Sequence, residues 1–294
     1  MTVRLGVTLP QFTADAAVFT DGIRRAEDLG FDSLWVFDHL WPLGAKRRPI
    51  LESWTALAWL ASMTSSVRVG ALVTRSSLRH PAVLAKMAAT VSEIAPGRVC
   101  VAVGSGDLAS SDENLAFGIP YWSGPDRMDQ LASVVEVLHR FRGGEPVTVA
   151  DDFTEISGLS AQPGPRDYSL WVAGRSVAAL DVAGRLADGW NAWAASPEEF
   201  ARAAAALKEI AGERRVELTW GGQVVVAETD EAAHERLGRR NPAHYVTGGP
   251  ETVAAYLRRL VDAGAVHLVL ASPFASDTQS YELLAGPVRE TAGL

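Results

Sequence analysis

Short apolar runs alternate along this chain with stretches in which apolar residues return every three or four positions. The runs lie at residues 4–9, 33–37, 67–72, 98–103, 169–173, 188–193, 218–226 and 266–271. They are rich in β-branched and aromatic residues, the pattern of strands buried on both faces. Between them, Ile23, Ala26 and Leu29 form one helical face that stops at Gly30. Pro81 opens another helix whose buried side carries Val83, Leu84, Met87 and Val91. Met128, Leu131, Val134, Val135 and Leu138 mark a third. Helical patterns also follow at 52–63, 177–186, 197–210, 230–237 and 251–263. Eight such strands, seven of them followed by a helical pattern, predict a closed parallel barrel of the (β/α)8 (TIM) class in one domain, 1–294. A doubly wound sheet would carry Gly-x-Gly-x-x-Gly directly after a strand. Val103-Gly-Ser-Gly-Asp-Leu-Ala lacks the third glycine, and no helical pattern starts there.

Insertions interrupt the alternation in two places. Residues 104–124 after strand four, rich in Gly, Ser, Asp and aromatics, are too long for a simple connection, and long loops tend to be functional. Residues 145–168 read as a peripheral hairpin, and the strand-seven region contains Gly221-Gly222 and an irregular stretch before Gly248-Gly-Pro-Glu251.

Of the 294 residues, 48% are hydrophobic, enough for a large core. The net charge of −8 argues against nucleic acid as a partner. Cys100, the single cysteine, sits inside an apolar strand and reads as a core residue; one cysteine permits no internal disulfide and fits a reducing compartment. The start of the chain has no secretory-signal pattern, and no run approaches the ~18 apolar residues of a membrane span. These features lead to the expectation of a soluble cytoplasmic protein acting on a small molecule.

In such a barrel the strand ends converge on one mouth. There the chain places Gln11, Asp38-His39, Val73-Thr74, Gly104–Asp107 (with Gly106), Gly174-Arg175-Ser176, Asn191 and Ser272. Asp38, His39 and Asp107 are the candidate acid–base groups; a capping role for either aspartate and a solvated loop role for His39 are the plain alternatives. Gly174, Arg175 and Ser176 precede a helix N-terminus, which suits an anion. Trp35, Trp41 and Trp190 could wall a planar ligand, with Gln11, Trp41 and Trp190 as candidates for the substrate pocket. No His-x-His or His-Glu-x-x-His is present to suggest a metal, and no Gly-x-Ser-x-Gly to suggest a serine nucleophile.

Asp38-His39, the segment from Val69 to Thr90, Gly97–Gly106, Ala116-Phe-Gly118, Ala187-Asp-Gly-Trp-Asn191 and Gly249-Pro-Glu251 together resemble the bacterial luciferase-like monooxygenase superfamily. Within it, the Asp-His pair resembles the branch that uses the deazaflavin coenzyme F420. The resemblance implies an oxidoreductase that moves a hydride between F420 and an organic substrate. It places His39 by the reactive carbon and Asp38 beside the ring, with Leu72-Val73 at a strand-three bulge that often holds a non-proline cis peptide. Gly104 and Gly106 would touch the cofactor, Gly174, Arg175 and Ser176 its phosphate, and Asp107 stands where some relatives carry a catalytic glutamate. An FMN-dependent monooxygenase with a partner reductase and a non-catalytic cofactor-binding barrel are the other readings; a homodimer is expected from the same resemblance.

Overall fold

The computed structural model describes residues 2–42, 44–163, 167–274 and 277–294. In chain order the elements are β1 (Arg4–Thr8), α1 (Ala16–Asp28), β2 (Ser33–Val36), α2 (Ser53–Met63), β3 (Arg68–Arg75), α3 (Pro81–Ile94) and β4 (Val99–Gly104). Then follow α4 (Ser111–Ala116), α5 (Gly124–Gly143), β5 (Val147–Ala150), β6 (Glu155–Leu159), β7 (Ser169–Ala173), α6 (Val177–Leu186), β8 (Gly189–Trp193) and α7 (Pro197–Ala211). β9 (Glu217–Val226), α8 (Asp230–Leu237), β10 (Tyr245–Gly248), α9 (Pro250–Asp262), β11 (His267–Ala271) and a terminal helical segment complete the chain.

β1, β2, β3, β4, β7, β8, β9 and β11 pair in parallel in that order, and β11 returns to β1. The eight expected strands therefore form the closed barrel. β5 and β6 are the antiparallel hairpin set outside it. β10 extends β9 in parallel and has no counterpart in the sequence reading: four residues of mixed burial carry little strand signal. The 104–124 insertion is not plain loop, since it folds α4 over the mouth.

Alternation along each strand sorts its side chains between lumen and helices. Trp35, Leu72, Cys100, Ala102, Trp171 and Val269 fill the lumen, and Trp35 and Trp171 lie 5.1 Å apart between ring centres. The indoles fit because the neighbouring positions are glycine: a Cβ on Gly70 would stand 2.5 Å from the Trp35 ring, and one on Gly189 2.5 Å from that of Trp171. Trp35 is thus packing beneath the mouth, not a wall of it. Burial raises the Cys100 thiol well above its ordinary range, in keeping with a core residue.

At the amino ends of the strands, fully buried His267 closes the lumen. Its Nε2 is 2.7 Å from Ser33 Oγ, which also accepts the Trp35 N–H at 2.7 Å. The His267 Nδ1 stands 3.8 Å from Glu217 Oε1, too far for a hydrogen bond, so their interaction is electrostatic. Glu217 is held by Arg4 at 2.6 Å and Arg68 at 3.1 Å. Burial raises the Glu217 carboxyl, but the adjacent His267 ring and the Arg68 guanidinium outweigh it and bring it to about 2. Burial also pushes His267 below its ordinary value.

Both shifts make the fold acid-sensitive. Below about pH 6.5 the unfolded chain takes up a proton at His267 that the folded chain resists; the Glu217 contribution, present above its unfolded value, is lost as pH falls toward about 2. Urea unfolding should therefore show stability falling as pH drops from 7 to 5, with a shallower fall in His267→Gln. An unchanged slope in the variant would show that His267 is not responsible.

Candidate active site

Where the carboxyl ends of the barrel strands meet, a cavity of about 550 Å³ opens. One side is built mostly of aliphatic residues and glycines: Leu72-Val73 of β3, Gly104–Gly106 at the end of β4, and Ala173-Gly174 at the end of β7. The Leu72–Val73 peptide is cis, at the irregularity between Ala71 and Thr74 where β3 pairs with β4. Gly104 is needed for close approach, since a Cβ there would lie 2.5 Å from Val73 Cγ2. Gly106 has φ +72°, a region that favours glycine. The other side carries side chains, among them Phe12, Phe37, Arg48, Trp193, Arg240 and Tyr245.

His39 and Asp38 reach this cavity from the end of β2, with Asp107 from the loop after β4. The Asp38 carboxylate is buried and fully engaged. Its Oδ1 accepts from Ser53 Oγ at 2.5 Å and Arg79 Nη2 at 2.9 Å; its Oδ2 accepts from the Arg75 N–H at 2.9 Å and Arg79 Nη1 at 2.7 Å. With both oxygens occupied, Asp38 anchors the ends of β2 and β3 and has no free position for proton exchange. Arg79 also pairs with Glu52, which caps α2. Burial alone would lower the Arg79 guanidinium, but Asp38 and Glu52 raise it. Asp107 combines both readings: it lines the cavity, while its Oδ1 accepts from Ser110 N and Ser110 Oγ at 2.9 Å each.

The sequence reading missed the group nearest His39. Glu113, on α4, is fully buried, and its Oε2 lies 3.1 Å from His39 Nδ1 and 2.9 Å from Arg75 Nη1. Its Oε1 accepts the Leu40 and Trp41 backbone N–H groups. Burial favours the neutral carboxyl, but the His39 hydrogen bond, the Leu40 N–H and the Arg75 charge hold Glu113 below the usual carboxylate range. Nothing in the spacing of residues 39, 75 and 113 signals that they meet; only the polar character of 104–124 hints at a role.

Several of the expected residues lie outside the cavity lining. Trp190 faces away from the cavity, because alternation along β8 turns Asn191 and Trp193 inward. Its ring packs on Phe200 of α7 at 5.4 Å, and its N–H bonds Gly174 O. Gln11 is fully buried, bridging Phe37 and Leu51 backbone groups, so it braces the β2 loop instead of meeting a ligand. Trp41 stacks on Phe117 at 5.5 Å under Lys46, outside the cavity lining. Gly174 lines the cavity but Arg175 and Ser176 do not. Arg175 is drawn to Glu199 at 2.7 Å, and Ser176 caps α6.

Removing Arg79 should expose how much the buried charge matters. Arg79→Met leaves Asp38 without its counter-charge and should cost about 3–5 kcal/mol in urea unfolding. A loss of about 1 kcal/mol or less, the worth of an exposed pair, would contradict this.

Comparison with known proteins agrees with this geometry. Residues 3–285 match the luciferase-like monooxygenase family. The F420-dependent glucose-6-phosphate dehydrogenase of Kineococcus radiotolerans is 25% identical over 289 residues, 85% of each chain. That of Beutenbergia cavernae is 34% identical over 170 residues, 56% of this chain and about half (49%) of its own length. An F420-dependent secondary alcohol dehydrogenase, solved with an F420–acetone adduct, has the same fold: TM-score 0.86, 21% identity, 99% of both chains covered. A cavity at the carboxyl ends of a closed parallel barrel, and a family match over nearly its whole length, identify the chain as a member of the luciferase-like monooxygenase family.

Proposed function

We propose that the chain is an oxidoreductase that uses coenzyme F420 and moves a hydride to or from a small organic substrate. The observation that carries this reading is the placement of His39 in one cavity with the wall of Leu72, Val73, Gly104, Gly106 and Gly174. Such a wall suits a flat ring, because its side chains are aliphatic or absent and carry no charge. The volume is ordinary for a ligand site. When bound, F420 would supply a carbon centre that exchanges a hydride. The relatives named above, which use F420, support the same cofactor for this chain.

A hydride leaves or joins the substrate together with a proton, and His39 is the group suited to handle it. Its Nδ1 is engaged by Glu113, and its other ring nitrogen has no hydrogen-bond partner among the described residues. Phe37 and Trp193, in edge contact at 5.8 Å, add apolar surface to the same cavity. Asp38 holds the His39 segment in place, and Asp107 offers a second carboxylate at the rim. Arg175 and Ser176 remain proposed contacts for a cofactor phosphate at the mouth of α6; Arg175 would have to leave Glu199 to serve. A cytoplasmic homodimer completes the reading, with the exposed Val83 and Ile94 of α3 offering an apolar surface for a second copy; sedimentation measures it.

Titration of the protein with F420 and, separately, with FMN, followed by absorbance and fluorescence, tests the proposal. Binding of F420 is expected. Binding of FMN alone would make the chain an FMN-dependent monooxygenase, and binding of neither a non-catalytic barrel. With a substrate that reduces bound F420, His39→Ala should slow turnover by about 10²–10⁴ and leave F420 affinity unchanged. Wild-type turnover would remove His39 from the chemistry.

A further inference from the structure

His39 sits on a loop after β2, and a histidine placed there could carry its neutral-state proton on either nitrogen. Its surroundings remove that freedom. The Glu113 carboxylate receives three fixed donors, the Leu40 and Trp41 backbone N–H groups on Oε1 and Arg75 Nη1 on Oε2, and Oε2 also lies 3.1 Å from His39 Nδ1. A carboxylate offers about four lone-pair positions, so the one left over faces the His39 ring. Arg75, 3% exposed, keeps it ionised. An imidazole lone pair on Nδ1, 3.1 Å from Oε2, would then face another acceptor.

Glu113 cannot readily turn away. Arg75 Nη2 donates to Asn114 Oδ1 at 3.1 Å, and Asn114 Nδ2 donates to Ser77 Oγ at 3.0 Å and Pro120 O at 2.9 Å. α4 is therefore pinned to the end of β3 at two successive residues, both fully buried. The same insertion supplies Gly104–Asp107 and Ser110 to the cavity lining.

We propose that Glu113 is the positioning residue of the site: it keeps the His39 proton on Nδ1 and confines proton exchange to Nε2. The assignment rests on the reading of His39 as the proton-handling group. For oxidation of a hydroxyl substrate the balance is simple. The carbon-bound hydrogen would leave with its electron pair to bound F420, the hydroxyl proton would pass to Nε2, and a carbonyl would form. The resulting imidazolium donates from Nδ1 to Glu113, whose charge faces it. Carbonyl reduction runs the same path backwards. In both directions the ring never presents an Nε2–H while neutral, which would block the acceptor that the hydroxyl proton needs.

Ring-nitrogen chemical shifts of isotope-labelled histidine, measured above neutral pH, test this directly. The His39 signals are assigned by their loss in His39→Ala. Wild type should show a protonated Nδ1 and a bare Nε2. Glu113→Gln keeps a carbonyl acceptor and should keep that pattern. Glu113→Leu should give Nε2–H or a mixture, and so should Glu113→Leu with Arg75→Met, which removes both buried charges if the single variant does not fold. A wild-type Nε2–H, or an Nδ1–H that persists without Glu113, would overturn the assignment. F420 titration of the same samples separates the outcomes: loss of binding in wild type would sink the cofactor reading, while the nitrogen shifts still decide the role of Glu113.

Discussion

Charge enclosed at the carboxyl ends of β2, β3 and β4 is the constraint around which the site is arranged. Asp38, Arg75 and Glu113 are removed from water almost completely and Arg79 largely so, a state tolerated only when every charge is met by an opposite one or by hydrogen-bond donors. Meeting that condition ties together segments far apart in the chain. Asp38 joins β2 to β3 through the Arg75 N–H and to α2 through Ser53. Glu113 joins the insertion after β4 to both of them. Loosening any one of these contacts would strand a buried charge.

Beneath it, the lumen sets the depth of the cavity. Two indoles stacked between glycine-bearing strands fill the barrel up to Leu72. The cis peptide at Leu72–Val73 therefore lines the cavity where the packed lumen ends. The buried polar group at the far end, His267 with Ser33 and Glu217, lies on the face that in barrels of this kind serves stability.

Between these layers the two sides of the cavity differ in kind. The β3, β4 and β7 side is mostly aliphatic residues and glycine, a surface that suits a flat ligand. The β8 to β2 side carries aromatic rings and the guanidinium groups of Arg48 and Arg240, which can discriminate among ligands. This division follows from which strands border each side. It also explains how one family fold can serve different chemistries through changes confined to the loops.

Much of the fold was open to reading from the chain. Eight short apolar runs separated by helical periodicity leave few arrangements other than a closed parallel barrel, because strands buried on both faces need helices around them. The strand-end rule then located Asp38, His39, Gly104, Gly106, Asp107 and Gly174 at one cavity. Direction of side chains was harder: Trp190 and Asn191 are neighbours, and a single step along β8 decides which of them meets a ligand. Partnership was beyond reach. Glu113 lies 74 positions from His39, and a buried carboxylate looks like any surface glutamate until packing brings a histidine and an arginine to it. Local pattern determines which elements form and roughly where their ends lie, since those depend on neighbours in sequence. Which charges meet depends on how distant loops close over the barrel, and only the tertiary structure decides that.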